Sequence, residues 1–566
     1  VTVLLEKVMG ETYVNKLRAI CLLEADFNWL NKLIFVRRMM QLASSSDFIP
    51  EEIHSKKGSH CTKAMVSKVC FCDGSRILHN PAALGEEDFG ECYDRTAHAP
   101  TSIGLQAWGI PVSACRLLFM ALQTMQFCLR TGFGESKELF GGTVEEPFGG
   151  LGQGNTMAPP GFSALATLII NAYRRKGNGA KLTSAYTARL FVLAAIMFVD
   201  DTDLLHWASS PDTSDEDFIE EVQASSDDYG AFSQATGAIL KPEKSSVYFM
   251  FYKFVNGRAR LKKLSEFPPA IAQVPTKDGG TAPAHITIPQ PDGSKVPIRT
   301  HDVTDATKML GLHFAPCGYS STHIESMKQK GLEWADRLQT RPLPKRDAWF
   351  SFDNQLFPAM SWGLVAVVME PKKLEEMMCG LYFRLLPHLG VNRCITTPWR
   401  MLPEMYQGLG LPNFLVLSLA SKISFLQCNW NFPGSTGDML RFHYEAFLVE
   451  VGLYGNPFSW DYDKMGGLAT KGTWFQNTWE MAWQLGIQVE LHNQFHLQPV
   501  REGDSSLMRL FYDAGFTGKQ VLEALNVVRR FKNVMHLSDL LLCDGRTIDW
   551  SFALSREYEP SVGHRF

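Results

Sequence analysis

Ten nearly uninterrupted apolar residues, Leu190 to Val199, run into Asp200 and Asp201, and Thr202, Asp203, Leu204, Leu205 and His206 leave as a second short apolar segment. That pattern predicts a buried β-hairpin over 190–207 with two carboxylates at its tip. Residues 1–44 carry mixed strand and helix signals, and 98–130 read as helix broken at Gly109 and Pro111. Glycine recurs from Gly132 to Gly150, which reads as hairpin and loop. A helix then starts near Pro159 and Pro160, with Phe162, Leu165, Ala166, Ile169, Ala172 and Tyr173 on one apolar face. An acidic amphipathic helix is expected over 213–236 and a short strand over Val247 to Phe251. From about Pro268 to Thr300 proline, glycine and threonine dominate, and Pro291, Asp292 and Gly293 mark a turn, so this stretch reads as a β-rich insertion or mobile loop. Beyond Ser320 the pattern becomes mostly helical.

The tip of the 190–207 hairpin admits two readings. Aspartate is common in solvated turns. Yet like charges side by side repel unless a cation lies between them, and magnesium takes one or two carboxylates together with substrate phosphates. A further carboxylate from elsewhere in the chain would complete such a site, and Asp88 supplies one. Four other segments fall in order around the pair: Asp88 to Arg95, Gly150 to Asn155, Gly237 to Ser245 (GAILKPEKS), and Met309 to Leu312.

A chain of 566 residues, 45% hydrophobic and 20% charged, has ample material for a large core in several subdomains. The formal net charge of −4 excludes a global basic field, so any polyanion contact has to come from local clusters. One such cluster holds Lys253, Arg258, Arg260, Lys262 and Lys263 with no acid among them, read either as a solvated loop or as a phosphate contact. Twelve cysteines without a CxxC pair fit reduced thiols and no zinc site. No apolar stretch is long enough to span a bilayer. An intracellular location, nucleus or cytoplasm, is the expectation.

With these segments together, the chain resembles a reverse transcriptase of the retrotransposon (non-LTR-like) and group II intron type, over about residues 1–320. Phe198-Val199-Asp200-Asp201 resembles the catalytic aromatic-x-Asp-Asp motif, and Asp88 to Asp94 the first catalytic motif. Gly152-Gln153-Gly154 is similar to the Gln-Gly loop, and Gly237 to Lys244 to the Gly-x-x-Leu…Lys segment. Leu310-Gly311 matches the primer grip and Arg18-Ala19-Ile20 the fingers motif that holds the triphosphate.

The resemblance implies an α/β right-hand polymerase. Fingers would occupy 1–155, with the first palm motif near 85–95. The palm would occupy 156–320, with its insertion at about 253–300, a helical thumb 321–430, and a helical region of unreadable role 431–566. It further implies RNA-directed DNA synthesis with two Mg²⁺ ions, Mn²⁺ being possible, on an RNA or DNA template with a primer and deoxynucleoside triphosphates. Asp88, Asp200 and Asp201 would hold the metals, Asp201 as the supporting carboxylate because neighbours on a strand point to opposite faces. Lys244 would protonate the pyrophosphate, and Arg18 would clamp the phosphates. Gly152 and Gly154 would admit the nucleotide, Gln153 would hydrogen-bond it, and Tyr93 would exclude a ribose 2′-hydroxyl.

Two departures stand out. Glu86 and Glu87 make the approach to Asp88 unusually negative, and Gly-Asn-Thr-Met-Ala-Pro-Pro follows Gln153 where a Ser-Pro form is commoner. Asp94, Asp203 and His206 read as ordinary turn or strand-edge groups. Lys328, Lys330, Arg337, Arg341, Lys345 and Arg346 offer a path for a nucleic-acid backbone, diluted by Glu325, Glu333, Asp336 and Asp347. The competing readings are an RNA-dependent RNA polymerase, which shares the aspartates, and an inactive remnant that keeps only the fold.

Overall fold

Strand β1 (Thr2–Glu6) pairs antiparallel with β2 (Leu17–Cys21), setting Leu5 opposite Arg18. The first long helix, α1 (Cys61–Leu78), is buried on nearly every side, including Lys63, Lys68, Asp73 and Arg76. A helix so placed is interior, and its polar groups need partners inside the protein. The computed structural model describes residues 1–6, 13, 17–131, 134–143, 145–255, 258–276, 279–492, 495–497 and 501–555.

Strand β3 (Ala82–Asp88) lies inside a six-stranded sheet. Helix α2 (Ala158–Arg175) begins with proline in its first turn, where the missing N–H would have no intrahelical acceptor. The expected hairpin forms from β4 (Ala195–Phe198) and β5 (Asp201–Trp207), but it is shorter than the 190–207 apolar pattern implied: Leu190–Leu193 pairs instead with Ala180–Thr183, and Leu190 is exposed. Helix α3 (Asp215–Ala235) opens on Ser214, whose Oγ accepts the Asp217 N–H, and carries three acids in its first turn against the helix dipole. Strands β6 (Ser246–Met250), β7 (Ile286–Pro289) and β8 (Lys295–His301) complete the order β4-β5-β3-β6-β8-β7. Among the described pairings of this sheet, only β6 and β8 run parallel.

The Pro268–Thr300 stretch is β-rich, but its last two strands are part of this sheet rather than an appendage. Ile286, Ile288 and Ile298 are fully buried beneath α3, and Gln223 of α3 bonds both backbone groups of Thr287. Alternation along the strands separates two cores. Ala82, Leu84, Leu205, Tyr248 and Met250 join α1 and the C-terminal helices, whereas Ala83, Leu204, Val247 and Phe249 join α2 and α3.

The chain then makes a small hairpin, β9 (Thr307–Met309) with β10 (Leu312–Phe314), turning at Leu310 and Gly311. Helix α4 (Ser321–Thr340) starts the helical region, which includes α5 (Phe414–Asn429), α6 (Ser435–Val451) and α7 (Trp474–Gln484). Helix α6 crosses α1 so closely that a Cβ on Gly74 would meet the Phe442 ring at 2.3 Å. Asp73 accepts the Trp474 N–H at 2.7 Å, and Arg76 donates to the Gly472 carbonyl at 2.9 Å, so α1 holds the start of α7. Trp474, Phe475 and Trp479 are fully buried and serve packing. Among the described residues no helix is long and apolar enough to cross a membrane.

Candidate active site

Register decides the centre of the site. In the β3–β5 ladder Asp88 lies directly opposite Asp201, and Glu86 opposite Asp203. Facing residues of an antiparallel pair project to the same side, so four acids line one face. Asp200 sits in the two-residue turn with Val199, whose φ of 61° is rare for a β-branched residue. The turn is thereby bent tightly enough to bring Asp200 beside the end of β3.

Asp88 accepts from both sides of a single cation: Lys244 Nζ lies 3.0 and 3.1 Å from its two carboxylate oxygens. The Lys241 N–H bonds the Asp88 carbonyl at 2.9 Å, fixing the loop that carries Lys244. Burial raises the Asp200 carboxyl above its ordinary range and the Asp88 charge adds to it, against its own backbone hydrogen bond, Lys244 and Arg18. Asp201 is pushed up to about 6 by burial and by the charges of Asp200, Asp203 and Asp88. The Cys92 thiol is pushed up by burial and by Asp200, Asp94 and Asp88 in turn. These three groups record one local excess of negative charge.

One strand step inward the acids are satisfied. Lys68 of α1, buried, donates to Glu86 Oε1 at 2.8 Å and to Asp203 Oδ1 at 2.7 Å. Burial alone would lower the Lys68 pKa, but the two carboxylates overcome it and hold it high. Burial raises Glu86 too, yet Lys68 and the hydroxyls of Thr307 and Ser246 outweigh this and bring it below the usual value. Asp203 lacks those hydroxyls, and burial leaves it at about 6. Glu87, on the opposite face, is pushed up to about 8 by burial and is uncharged near neutrality. The negative approach to Asp88 is thereby moderated: Glu86 is paired with Lys68, and burial holds Glu87 toward its neutral form. Asp203 is no strand-edge group but part of a buried triad.

The neighbouring segments converge on the same end of the sheet. Gln153 accepts the Cys21 N–H of β2 at 2.6 Å through its carbonyl, and its side chain donates to Asp94 at 3.4 Å. Gly154 has to be glycine here, since a Cβ would stand 2.3 Å from the Cys21 carbonyl oxygen and φ is +104°. Gly152, also left-handed at φ +71°, abuts the Cys21 side chain. Asn28 and Asn31 tie the same loop to the N-terminal helices through Gly154, Thr156 and Asn155. Arg18 is exposed on β2, within electrostatic reach of Asp200.

Tyr93 is half-buried, its ring edge-on to Phe162 of α2 at 6.3 Å, and its carbonyl accepts the Leu151 N–H at 2.7 Å. Burial raises its hydroxyl pKa, with Cys92 and Asp200 adding to the effect. Leu310 and Gly311 sit farther off in the β9–β10 turn, linked back through Thr307, whose hydroxyl donates to Glu86 at 2.8 Å. The basic run from Lys253 is not a free field: Lys253 and Arg260 pair with Glu266, and Lys262 pairs with Asp215.

Hard oxygen donors carrying surplus negative charge suit a divalent ion such as Mg²⁺. Asp88, Asp200 and Asp201 fit that requirement in donor type and in the charge they concentrate. Among the described residues no three His, Cys, Asp or Glu form an ion site by themselves.

No protein-family model and no curated protein matches the chain. Among solved structures it is similar to telomerase from Candida albicans in complex with a TWJ fragment of telomeric RNA, at 11% identity and a TM-score of 0.34, over 79% of this chain and 62% of that one. The corresponding complex from Candida tropicalis gives 11% and 0.31, over 76% and 62%. The apo enzyme from Candida tropicalis gives 10% and 0.30, over 78% and 70%. This chain thus spans 62% of the length of each of the two RNA-bound telomerases. These overlaps are low, and the side chains themselves define what the site can do.

Proposed function

We propose that the chain is a reverse transcriptase, an RNA-directed DNA polymerase of the retroelement type, transferring deoxynucleotides to a primer 3′-hydroxyl on an RNA or DNA template. The observation that carries this reading is Asp88 facing Asp201 across paired strands, with Asp200 in the adjoining turn and an excess of negative charge around all three that Lys244 offsets only in part. Carboxylates so arranged are costly unless a cation and an anionic substrate complete them.

Mg²⁺ bound by Asp88, Asp200 and Asp201, two ions in all, would lower the pKa of the primer hydroxyl and neutralise the leaving pyrophosphate. The chain's own groups do the rest. Arg18 binds the triphosphate, and the Gln153 loop orients the nucleotide against β2. Lys244 exchanges its contact with Asp88 for the leaving phosphates and supplies a proton there from its Nζ. Tyr93 stands under the sugar, and its bulk favours DNA over RNA synthesis, which sets this reading above an RNA-dependent RNA polymerase. The palm would be the six-stranded sheet, with the fingers before it and the thumb in the helices after residue 320.

Single-nucleotide incorporation tests all three readings. Purified chain, an RNA template with DNA primer and Mg²⁺ should add a deoxynucleotide in preference to a ribonucleotide. Preference for the ribonucleotide would establish the RNA polymerase instead, and no addition by the folded chain would leave the inactive remnant.

A further inference from the structure

His206 reads in the sequence as a strand-edge group, yet it is 7% exposed and lies within β5, opposite Ala83 of β3. It stands five residues beyond Asp201, about 17 Å along the strand at roughly 3.4 Å per residue. Alternation puts it on the other face from the acids of the candidate site. There it lines a cavity of about 730 Å³. The walls are the end of the six-stranded sheet, α3, and the ladder of Ala180–Thr183 with Leu190–Leu193. Lys181, Leu190 and Glu221 are exposed along these walls, so the mouth opens to solvent.

Three polar side chains of the lining, Asn80, Ser184 and His206, are each more than nine-tenths buried, and each keeps hydrogen-bonding capacity that the protein does not fill. Among the described residues His206 has no hydrogen-bond partner at either ring nitrogen. Burial alone acts on the imidazole and lowers its pKa to about 4, so near neutrality it offers one N–H and one lone pair. The Asn80 amide donates to the Pro81 and Ala208 carbonyls at 3.2 and 3.0 Å, which fixes its plane and leaves Oδ1 without a donor among the described residues. Ser184 is held through its backbone, its N–H bonding the Arg189 carbonyl at 2.9 Å and its carbonyl accepting the Ala188 N–H at 3.1 Å. Its hydroxyl has no partner among the described residues. Buried polar groups in this state are costly unless water or a ligand completes them. Beside them the lining is apolar and partly aromatic, with Trp207, Phe218 and Val222. The charged residues of the lining, Lys181 and Glu221, are opposite in sign and exposed, so nothing inside matches a charged ligand. A planar ring edged with amino, carbonyl and ring-nitrogen groups fits this lining, and the cavity has the size of small-molecule sites.

We propose that this cavity binds an uncharged ligand of the nucleoside class, its base edge hydrogen-bonded by His206, Asn80 and Ser184. An amino group of the base donates to Asn80 Oδ1, and the imidazole N–H donates to a carbonyl or ring nitrogen. A phosphate on the same ligand gains nothing, because Glu221 offsets Lys181. The site is separate from the candidate active site, and the inference does not rest on the polymerase reading.

The test is isothermal titration of the full chain with adenosine, guanosine, cytidine and uridine in turn, without divalent metal. At least one should bind with Kd below about 1 mM, and its 5′-monophosphate should bind no more tightly. His206→Phe keeps a ring of similar size and removes both nitrogens, so Kd should rise about three- to tenfold, the scale of one hydrogen bond. Ser184→Ala should raise it in the same range, whereas Gln153→Ala, in the loop of the candidate active site, should leave it unchanged. If no nucleoside binds the folded parent chain, water alone completes these groups and the proposal is overturned. Tighter binding of the monophosphate would overturn the uncharged class. An unchanged Kd in His206→Phe would overturn the assignment of the cavity, and should that variant unfold, Ser184→Ala decides in the same way. A Kd raised by Gln153→Ala instead would place the nucleoside at the candidate active site and overturn the proposal too.

Discussion

Two pairs of carboxylates sit one step apart on the same two strands and on the same face: Glu86 with Asp203, and Asp88 with Asp201. The inner pair shares a buried lysine; among the described residues the outer pair, at the strand ends, has an ion pair only from Lys244, which touches Asp88 from a half-exposed position. Residue type, strand and face are alike, so what separates a structural acid from one available to a substrate is the position of α1. Its Lys68 reaches two acids and stops short of the next two. A second buried amine sharpens the point: Lys422 of α5 donates to the Asn477 amide oxygen at 2.8 Å and lies over the Trp474 ring, and burial drives its pKa down to about 7.

The largest effect should come from breaking the inner pair. Lys68→Met leaves two buried carboxylates without their cation and should cost about 3–5 kcal/mol, read by guanidinium unfolding. A loss below about 1 kcal/mol would show that the inner acids do not depend on Lys68. At the outer pair, the opposite split is expected. Asp200→Asn should cut nucleotide incorporation by about 10²–10³-fold while the melting temperature stays level or rises, because like-charge repulsion is relieved. Activity at the parental rate would remove the hairpin from the catalytic centre.

Lys422 tests the buried amine without a carboxylate contact. Its folded pKa lies below the unfolded value, so between about 7 and 10.5 the unfolded chain holds a proton that the folded chain has shed. Stability therefore rises with pH across that window, and below it the folded state bears the whole burden of a buried charge. Lys422→Met should add about 1–3 kcal/mol at pH 7 and less at pH 10; a pH-independent difference would contradict the shift. The smallest expected effect is at Tyr93. Tyr93→Ala should raise the ribonucleotide-to-deoxynucleotide ratio of kcat/KM by about tenfold, and an unchanged ratio in an active variant would return the RNA polymerase reading.

The hairpin around Asp200 and the helices at 158 and 215 were legible because each is written in a short window of apolar period or turn residues, although Leu190–Leu193 belongs to a different strand pair. Asp200 and Asp201 announced themselves by lying next to one another. Asp203 did not, since its meaning depends on a register that sets it opposite Glu86 and on a lysine 135 residues earlier in the chain. Glu87 looked like added charge in the sequence; its place on the opposite face of β3, away from Lys68, leaves it buried without a cation and favours its neutral form. Lys68 itself was signalled weakly, as one cation among Ala64, Met65, Val66, Val69 and Cys70, where an unpaired charge has no place. Strand β8 escaped notice because it joins the sheet beside β6, a parallel neighbour that no local pattern encodes.

The hold of α1 on the start of α7 has a consequence for synthesis on the ribosome. Asp73 and Arg76 leave the exit tunnel early, yet the backbone groups they bind, at Gly472 and Trp474, are about 400 residues behind. At translation speeds of 5–20 residues per second that delay is roughly 20–80 s. Throughout it the helix packed against the six-stranded sheet carries a carboxylate and a guanidinium meant for burial but not yet matched to these backbone groups. A product cut short before residue 472 would leave Asp73 and Arg76 of α1 without these backbone partners.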